Sequence, residues 1–589
     1  MPGDIDPRLA TKYADLLAIP LHYLYSQIHN QLHWPTLWKT ETVTLIPKNS
    51  APEGLAQLRN LSCTPLFSKL LESFILGTLK QKVKLTRNQF GGIKGVGVNH
   101  FLAETWDQVL SSLEDCNAAV SLMSIDFEKA FNRMDHRHCI TSLQALGADE
   151  GDIQLVQAFL HGRRMQVKVG KTRSVPRTVP GGSPQGSILG NFLFCASTNE
   201  FAADGNPEVA VLADDEDQEA GVEEDLNGTP NFSENGRDMT GSPLMSSGNG
   251  SEPSSPIAPP GTGLLELGSE SDSDDSFQYF RTRPRNFLDD TEEITDRYTQ
   301  HQLDASLGVP PNWRELPLGV KVYIDDLNNV EKVRQAGAIS EISENKQVLL
   351  AHAPKSEENF TRICRRASEV NMRVNSSKTQ LLCISGNVVS KVKSYIKHEE
   401  KEIRSGHDLK ILGFWFGERP NVEIHVKKML EKFRSRIWAL RHLRRSGICQ
   451  SDLLYIYQTV LRPVLDFAAP VYHPILTSTQ RQQIERLQLR SLKIIYGYDY
   501  TYKELLEKTN TPTLEERREE LLLSFALKTQ NNPRFADAWF PKRTNNHYQL
   551  RNNRIFKEFA ARTERQRNNP IHYMRRALND HFEKETINN

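Results

Sequence analysis

The sequence predicts an α+β fold, because strand patterns and helix patterns alternate along the chain and two strands end in carboxylates. Residues 320–327 alternate apolar and polar side chains and end in Asp325 and Asp326, while residues 118–125 form an apolar strand that ends at Asp126. Neighbouring side chains of a straight strand point to opposite faces, so Asp325 and Asp326 converge only if the strand turns there. Taken alone, residues 320–327 fit a solvated turn at a strand end equally well.

Composition indicates a basic globular body that carries an acidic insertion. The 589 residues have no net charge, yet residues 204–304 contain 24 acids, 5 Arg and no Lys, a net charge of −19. The remainder holds 68 basic and 49 acidic residues, a net charge of +19. Such a body is suited to binding a phosphate backbone, and residues 204–302 are too polar to form a core and are predicted to be disordered.

Other classes of protein are disfavoured by what the sequence lacks. It contains no apolar run of 18 residues and no signal peptide at its start, so a membrane partner is not expected and the predicted location is intracellular, in the nucleus, the cytoplasm or both. The seven cysteines form no CxxC pair, which argues against a zinc site and a disulfide framework.

Local patterns predict the remaining elements. Residues 42–48 and 409–416 are each predicted to form a strand, and residues 166–170 with 175–179 a hairpin. The loop at residues 182–187 opens an apolar helix over residues 188–201. Residues 422–446 form a long basic helix, and residues 501–589 a polar helical extension.

Six motifs in order resemble the reverse transcriptase domain of non-LTR retrotransposons. They are Leu45-Ile46-Pro47-Lys48 with Leu58-Arg59-Asn60-Leu61-Ser62, Asp126-Phe127-Glu128-Lys129-Ala130-Phe131, Gly182-Ser183-Pro184-Gln185-Gly186-Ser187, Tyr323-Ile324-Asp325-Asp326, Asn375-Ser376-Ser377-Lys378-Thr379, and Leu412-Gly413-Phe414. The resemblance implies a right-hand polymerase with fingers, a palm built on an antiparallel sheet, and a helical thumb. Its expected divisions are fingers 1–117, palm 118–203 and 303–420 around the insertion 204–302, thumb 421–500, and a C-terminal extension 501–589.

The same resemblance implies the roles of individual residues. Two Mg²⁺ ions, with Mn²⁺ as an alternative, would be held by Asp126, Asp325 and Asp326, and Lys378 would be the general acid or a helix-capping cation. The nucleotide-binding residues would be Lys48, Arg59, Phe131 as a steric gate, Gln185 and Gly186. Leu412, Gly413 and Phe414 would grip the primer, and Lys427, Lys428, Arg434 and Arg436 would bind nucleic acid. The implied partners are an RNA template, a DNA primer and dNTPs.

Three departures from the family pattern leave alternatives open. A rival acid pair, Asp214-Asp215, lies at the more usual spacing after Ser187, but four further polar or acidic residues follow it where a returning strand is needed, so Asp325-Asp326 is preferred. The family's Arg-Pro is Arg59-Asn60 here, and its basic glycine-rich motif is diluted in residues 93–97. No endonuclease or Cys/His knuckle is recognisable, so another chain would supply those functions or the element is truncated.

Three functions therefore remain from the sequence. The preferred one is an active RNA-directed DNA polymerase. The second is a catalytically impaired or domesticated nucleic-acid-binding relic, suggested by the diluted motif in residues 93–97. The third is an RNA-dependent RNA polymerase, against which the aromatic Phe131 argues because such enzymes favour a polar residue near the ribose 2′-OH.

Overall fold

Fifteen strands of the described residues form three sheets and one separate hairpin. The computed structural model describes residues 6–47, 54, 58–115, 118–202, 320–323, 326–334, 339–343, 346–386, 391–398, 401–543, 554–559 and 561–588. The strands are β1 Thr40–Pro47, β2 Leu58–Cys63, β3 Ala118–Ile125, β4 Arg164–Val169, β5 Thr172–Arg173, β6 Arg177–Thr178, β7 Val320–Tyr323, β8 Asp326–Arg334, β9 Ile339–Ser343, β10 Lys346–His352, β11 Gln380–Ser385, β12 Lys391–His398, β13 Lys401–Arg404, β14 Asp408–Ile411 and β15 Phe414–Gly417. The predicted insertion, residues 204–302, lies outside the described residues.

Helices occupy most of the rest of the described chain, which confirms the predicted α+β class. They are α1 Pro7–Lys12, α2 Ala14–Gln31, α3 Leu66–Lys82, α4 Val98–Ser112, α5 Ala130–Arg133, α6 His136–Ala145, α7 Glu150–Leu160, α8 Ile188–Thr198, α9 Pro354–Glu369, α10 Glu423–Arg445, α11 Gln450–Ile456, α12 Pro463–Asp466, α13 Ala469–Tyr472, α14 Ser478–Tyr496, α15 Tyr502–Thr509, α16 Leu514–Thr529, α17 Ala536–Trp539, α18 Glu564–Arg567 and α19 Pro570–Asn588. Among the described residues, none of the helices combines the length and the apolar character needed to cross a bilayer.

One antiparallel sheet, the palm sheet, has the strand order β11-β3-β8-β7. Strand β3 is mostly apolar and does not alternate between apolar and polar residues, because both of its faces are covered and seven of its eight residues are buried. Helices α4 and α9 pack against it. The palm sheet therefore brings the chain before residue 204 next to the chain after residue 319.

A second sheet, named the fingers sheet after β1 and β2, also contains β4, β5 and β6 from the range predicted as palm. Its order is β2-β1-β4-β5, with β6 also paired to β4. Strands β1 and β2 are antiparallel, whereas β1 and β4 run parallel, which requires a long crossover between them. The predicted hairpin in residues 166–179 is present as β4, β5 and β6. The third sheet, β13-β12-β10-β9, lies beside the palm sheet, where the Ser121 and Ser394 hydroxyl oxygens are 3.0 Å apart.

The prediction of a single strand over residues 409–416 is wrong. Strands β14 and β15 form an antiparallel hairpin, and its two turn residues, Leu412 and Gly413, have φ angles of +49° and +79°. Positive φ at both turn positions is typical of the tight turn whose twist matches paired strands. Leucine rarely adopts this conformation, so the alternating apolar sequence concealed the turn.

The C-terminal helices pack on α4 and hold the glycine-rich segment before it. Arg534 is half-buried, and its guanidinium donates to the Gln89 carbonyl oxygen at 2.7 Å. Further along, the Asn569 amide donates to the Asp107 carboxylate at 2.8 Å, and the Thr563 hydroxyl donates to the Glu114 carboxylate at 2.8 Å. The predicted helical extension is thus an integral layer of the fold.

Candidate active site

Asp126 ends β3 and is held there by the chain that precedes Lys378. The Asn375 N–H donates to the Asp126 carbonyl oxygen at 2.7 Å, and the Glu128 N–H donates to the Arg373 carbonyl oxygen at 2.8 Å. The side chain of Asp126 is 11% exposed, and its Oδ2 lies 3.7 Å from the ammonium nitrogen of Lys378. Two residues that lie 252 positions apart in sequence therefore form one ion pair at the strand end.

The hairpin of β7 and β8 lies next to Asp126. Tyr323 pairs with Asp326 within this hairpin, and Leu327 of β8 pairs with Ile125 of β3. Extending that register by one residue places Asp126 opposite Asp326, where paired strands keep α-carbons about 4.5–5.5 Å apart. Asp325, the side chain of Asp326 and the rival pair Asp214-Asp215 lie outside the described residues.

The chemistry of this strand end suits a divalent cation. Carboxylate oxygens are the ligands that Mg²⁺ prefers, and Asp126 supplies such oxygens at the rim of a buried sheet. Within the described ranges, no cluster of three His, Cys, Asp or Glu residues is positioned to share a metal. That result is expected here, since two of the three predicted carboxylates are not part of those ranges.

The loop at residues 182–187 fits closely against the turn that follows Asp126. Gly182 has a φ angle of +77°, and a β-carbon there would lie 2.7 Å from the carbonyl oxygens of both Phe131 and Asn132. The Ser183 N–H donates to the Phe131 carbonyl at 2.8 Å, and the His136 ring nitrogen is 2.7 Å from the Gly182 carbonyl. Glycine at position 182 is therefore required by both the backbone conformation and the available space.

The same loop is attached to the fingers sheet. The Ser62 N–H of β2 donates to the Gln185 carbonyl oxygen at 2.9 Å, and a β-carbon at Gly186, whose φ angle is +95°, would lie 3.0 Å from the Ser62 carbonyl oxygen. The side-chain oxygen of Gln185 is buried and has no hydrogen-bond partner among the described residues. A buried amide oxygen without a protein partner is uncommon.

Glu72 is a site residue that the sequence analysis missed. It lies on α3, is fully buried, and its Oε2 accepts the Ile188 N–H at 2.8 Å and the Leu189 N–H at 3.2 Å. These are the first two N–H groups of α8, which are otherwise without partners at a helix start and carry partial positive charge. Buried Arg163 attracts Glu72 and forms an ion pair with buried Glu41 at 3.5 Å. The only sequence signal was a glutamate within an apolar helix face.

The pKa values of this buried cluster reflect its environment. Burial raises the pKa of the Glu72 carboxyl, although the Leu189 N–H, Arg163 and the Ile188 N–H act in the opposite direction. Burial likewise raises the pKa of Glu41, while Arg163 lowers it. The cluster links the fingers sheet, α3 and the start of α8, so it sets the position of the loop that contains Gln185.

Comparison with known proteins shows which family the sequence around this site matches. Residues 46–215 match the family model described as "Reverse transcriptase (RNA-dependent DNA polymerase)". The chain contains a reverse transcriptase domain. The matched range includes Asp126 and the loop at residues 182–187, and it ends at the rival acid Asp215.

Two relatives are each similar to about a third of the chain. One is the "Retrovirus-related Pol polyprotein from type-1 retrotransposable element R2" of Popillia japonica, 31% identical over 29% of this chain and 24% of the relative. The other is the "Probable RNA-directed DNA polymerase from transposon BS" of Drosophila melanogaster, 29% identical over 34% of this chain and 24% of the relative. The chain thus spans about a quarter of the length of these relatives.

Among solved structures, the apo telomerase of Candida tropicalis is similar at a TM-score of 0.34 and 8% identity. The similarity covers 86% of this chain and 68% of the telomerase chain, and it is too distant to support a conclusion about the site.

Within the reverse transcriptase domain, the predicted steric gate is mostly enclosed. Phe131 is 4% exposed and stacks on Phe194 of α8, with ring centroids 4.8 Å apart. This ring couples the turn after Asp126 to the helix that follows the loop at residues 182–187. Lys48 and the side chain of Arg59 lie outside the described residues, and the backbone of Arg59 pairs with Ile46 at the end of β1.

The predicted primer grip lies against α10, in the range predicted as the thumb. Phe414 is fully buried and stacks on His425 of α10 at 4.0 Å between centroids, and His425 Nδ1 accepts the Trp415 N–H at 3.4 Å. Burial lowers the pKa of His425 to about 3, so the ring is neutral and remains an acceptor. His425 therefore holds the hairpin of β14 and β15, a role that the sequence did not indicate.

The predicted nucleic-acid-binding cations of α10 lie on two different faces. Lys428 and Arg436, together with Lys432, line a cavity of about 320 Å³ beside the β14–β15 hairpin. They are spaced at four-residue intervals and so share one side of the helix. Lys427 and Arg434 are exposed on another face. The structure thus brings only Lys428 and Arg436 of the predicted set next to the primer grip.

Proposed function

We propose that this chain is an RNA-directed DNA polymerase, which transfers a nucleotide from a dNTP to a primer 3′-OH on an RNA template. The observation that supports it best is the strand end where Asp126 lies 3.7 Å from Lys378 and opposite Asp326 in register. Relatives of this chain are named as a probable RNA-directed DNA polymerase from a transposon and as an RNA-directed DNA polymerase from a mobile element. A primer, an RNA template and dNTPs are accordingly its proposed partners.

Reverse transcriptases generally use divalent metals. We assign two Mg²⁺ ions, replaceable by Mn²⁺, to Asp126, Asp325 and Asp326, whose oxygens suit these ions. Such a pair of ions supplies activation of the attacking hydroxyl and stabilisation of the leaving pyrophosphate. The register of β3 with β8 supports Asp325-Asp326 over Asp214-Asp215, because β7 and β8 provide a strand on each side of Asp325.

The residues of the chain would contribute binding, orientation and proton transfer. Lys48, which follows β1 in the sequence, and Arg59 of β2 would pair with the triphosphate, where the planar guanidinium of arginine can bind two oxygens at once. Gln185 and Gly186 would face the nascent base pair, and Phe131 would restrict the space beside the sugar. The Lys378 ammonium would donate its proton to the leaving pyrophosphate oxygen.

The nucleic acid would contact the β14–β15 hairpin and α10, which follow the palm sheet in the sequence. Leu412, Gly413 and Phe414 would contact the primer end, with Lys428 and Arg436 on its phosphates. Lys427 and Arg434, exposed on the other face of α10, would contact a more distant part of the backbone.

The decisive experiment is primer extension on an RNA template with dNTPs and Mg²⁺, comparing Asp126→Asn, Asp325→Asn and Asp214→Asn. Loss of one metal carboxylate should reduce the rate about 10³-fold, as expected for losing several kcal/mol of transition-state stabilisation. Asp214→Asn, which leaves the proposed metal carboxylates unchanged, should stay within about twofold of the wild type, a change in the barrier of less than about 0.5 kcal/mol. The reverse pattern would move the site to the rival pair.

The same assay separates the other two functions. A wild-type chain that binds a primer–template but yields no product would be a nucleic-acid-binding relic. Incorporation of rNTPs as efficient as that of dNTPs would favour an RNA polymerase and remove the steric-gate role of Phe131.

A further inference from the structure

A basic hairpin, residues 164–178, projects from the fingers sheet and is not used by the proposed chemistry. It consists of β4, β5 and β6 and carries five exposed cations, Arg164, Lys168, Lys171, Arg173 and Arg177. The chain contains no Asp or Glu between Asp152 and Glu200, so no acid nearby in sequence offsets them. Such a concentration of one charge points to a polyanionic partner.

The register of the hairpin places like charges opposite each other. Lys168 of β4 pairs directly with Arg173 of β5, and directly opposite residues lie on the same face. Side chains alternate along a strand, so Arg164 lies on that face as well. In the part of the chain that the structure describes, neither Lys168 nor Arg173 forms an ion pair with an acid. Like charges in this position destabilise a hairpin unless an external anion neutralises them.

This charged face continues into neutral polar groups of the neighbouring strand. Thr40, Thr42 and Thr44 of β1 pair in register with Arg164, Gln166 and Lys168 of β4. The Gln166 side-chain amide donates to the Thr42 hydroxyl at 3.0 Å, which confirms that these side chains share one face. Thr42 is buried, whereas Thr40 and Thr44 are half-buried beside Arg164 and Lys168, and hydroxyl groups beside cations are common in contacts to phosphate oxygens.

The base of the hairpin is joined to the loop of the active site. The Val179 N–H donates to the Arg163 carbonyl at 3.0 Å, and residues 180–181 then lead directly to Gly182. From Arg164 to Lys168 the strand rises about 13 Å at 3.3 Å per residue, which matches three to four nucleotides stacked about 3.4 Å apart. The cations therefore form a short track that starts at the loop containing Gln185.

We propose that this face, formed by Arg164, Lys168 and Arg173, binds the phosphates of the unpaired RNA template strand next to the active site. The proposal rests on the proposed function. Single-stranded RNA is the expected ligand of this face because the end of the duplex is already assigned to the primer grip and α10. The hairpin contributes affinity for a long unpaired template and takes no part in nucleotide transfer.

The test compares two doubly substituted proteins that each lose two positive charges. One is Lys168→Gln with Arg173→Gln. The matched control is Arg486→Gln with Lys503→Gln, two exposed helical cations outside the hairpin. Binding to an RNA template–DNA primer duplex is measured by fluorescence anisotropy over a range of KCl concentrations. One duplex carries a 12-nucleotide unpaired template and the other a single unpaired nucleotide.

The hairpin variant should bind the long overhang more weakly than the wild type. The slope of log Kd against log [KCl] should decrease by about 1.4, which is about 0.7 for each single-strand phosphate contact that is lost. Binding of the short overhang, and its extension by one nucleotide, should match the wild type. Equal losses in the control, or on both duplexes, would overturn the proposal. A wild type that binds with the predicted slope but extends neither duplex would instead count against the proposed function.

A single substitution distinguishes a binding role from a structural one. Lys168→Glu places an acid opposite Arg173, so its Tm should equal or exceed that of the wild type, while affinity for the long overhang decreases. A fall in Tm together with the loss of affinity would show that Lys168 acts through the fold and would overturn the proposal.

Discussion

Replacing Glu72 tests whether a buried carboxylate positions the loop of the active site. In Glu72→Ala, the Ile188 and Leu189 N–H groups lose acceptors at 2.8 and 3.2 Å, and buried Arg163 loses a compensating charge. Hydrogen bonds to a charged group contribute about 1.5–3 kcal/mol each. Part of the stabilisation from these hydrogen bonds is offset in the wild type, because burial raises the pKa of Glu72 and so disfavours its charged form.

The expected loss in the free energy of unfolding is therefore about 3–5 kcal/mol for Glu72→Ala, in the range seen when one partner of a buried ion pair is removed. Glu72→Gln keeps one acceptor and loses the charge, so a loss of about 1–2 kcal/mol is expected. Glu358→Ala, on the exposed face of α9, is the matched control and should change stability by less than about 0.5 kcal/mol.

The assay combines urea unfolding with steady-state insertion of a single nucleotide. If Glu72 sets the start of α8, its loss displaces Gln185 and raises the KM for dNTP more than it lowers kcat, and Glu72→Gln recovers most of the loss. The reasoning fails if Glu72→Ala costs less than about 1 kcal/mol, or if kcat falls while the KM for dNTP is unchanged.

Two further predictions concern Lys378 and His425. Lys378→Gln should slow nucleotide insertion about 10²-fold, as for loss of a general acid; an unchanged rate would leave Lys378 only as the ion-pair partner of Asp126. His425→Phe retains the stacking on Phe414 but removes a group whose pKa burial lowers to about 3. Below pH 6.5 the unfolded wild type binds a proton that the folded protein does not, so its stability falls by about 1.4 kcal/mol per pH unit, or about 2 kcal/mol at pH 5. Urea unfolding at pH 7.5 and pH 5 measures this loss of stability, which should be smaller in His425→Phe than in the wild type. Equal losses in the two proteins would place His425 in a more exposed environment.

The predictions that hold best are those based on local chemistry. The α+β class and the hairpin in residues 166–179 follow from alternation of side chains, which depends only on neighbouring residues. The helix predicted to follow the loop at residues 182–187 is present as α8, which begins at Ile188. The motif order was sufficient to indicate a reverse transcriptase domain, which the family match to residues 46–215 confirms.

Long-range relationships could not be obtained in this way. Nothing local to Glu72 indicates that it accepts N–H groups from a helix 116 residues later, and nothing in the helix of residues 423–445 shows which cations face the primer grip. The turn at Leu412 was hidden because leucine gives no signal for a positive φ angle. These features depend on the packing of distant elements.

The sequence by itself determined the class of fold, the order of the motifs and the residue types at the proposed site. Only the tertiary structure decided that Lys378 lies 3.7 Å from Asp126, and that β8 lies beside β3 in a register that sets Asp326 opposite Asp126. The physical reason is that strand and turn preferences are properties of neighbouring residues. The pairing of strands separated by 200 residues is instead set by burial of both faces of β3 and by backbone hydrogen bonds that only the assembled sheet can form.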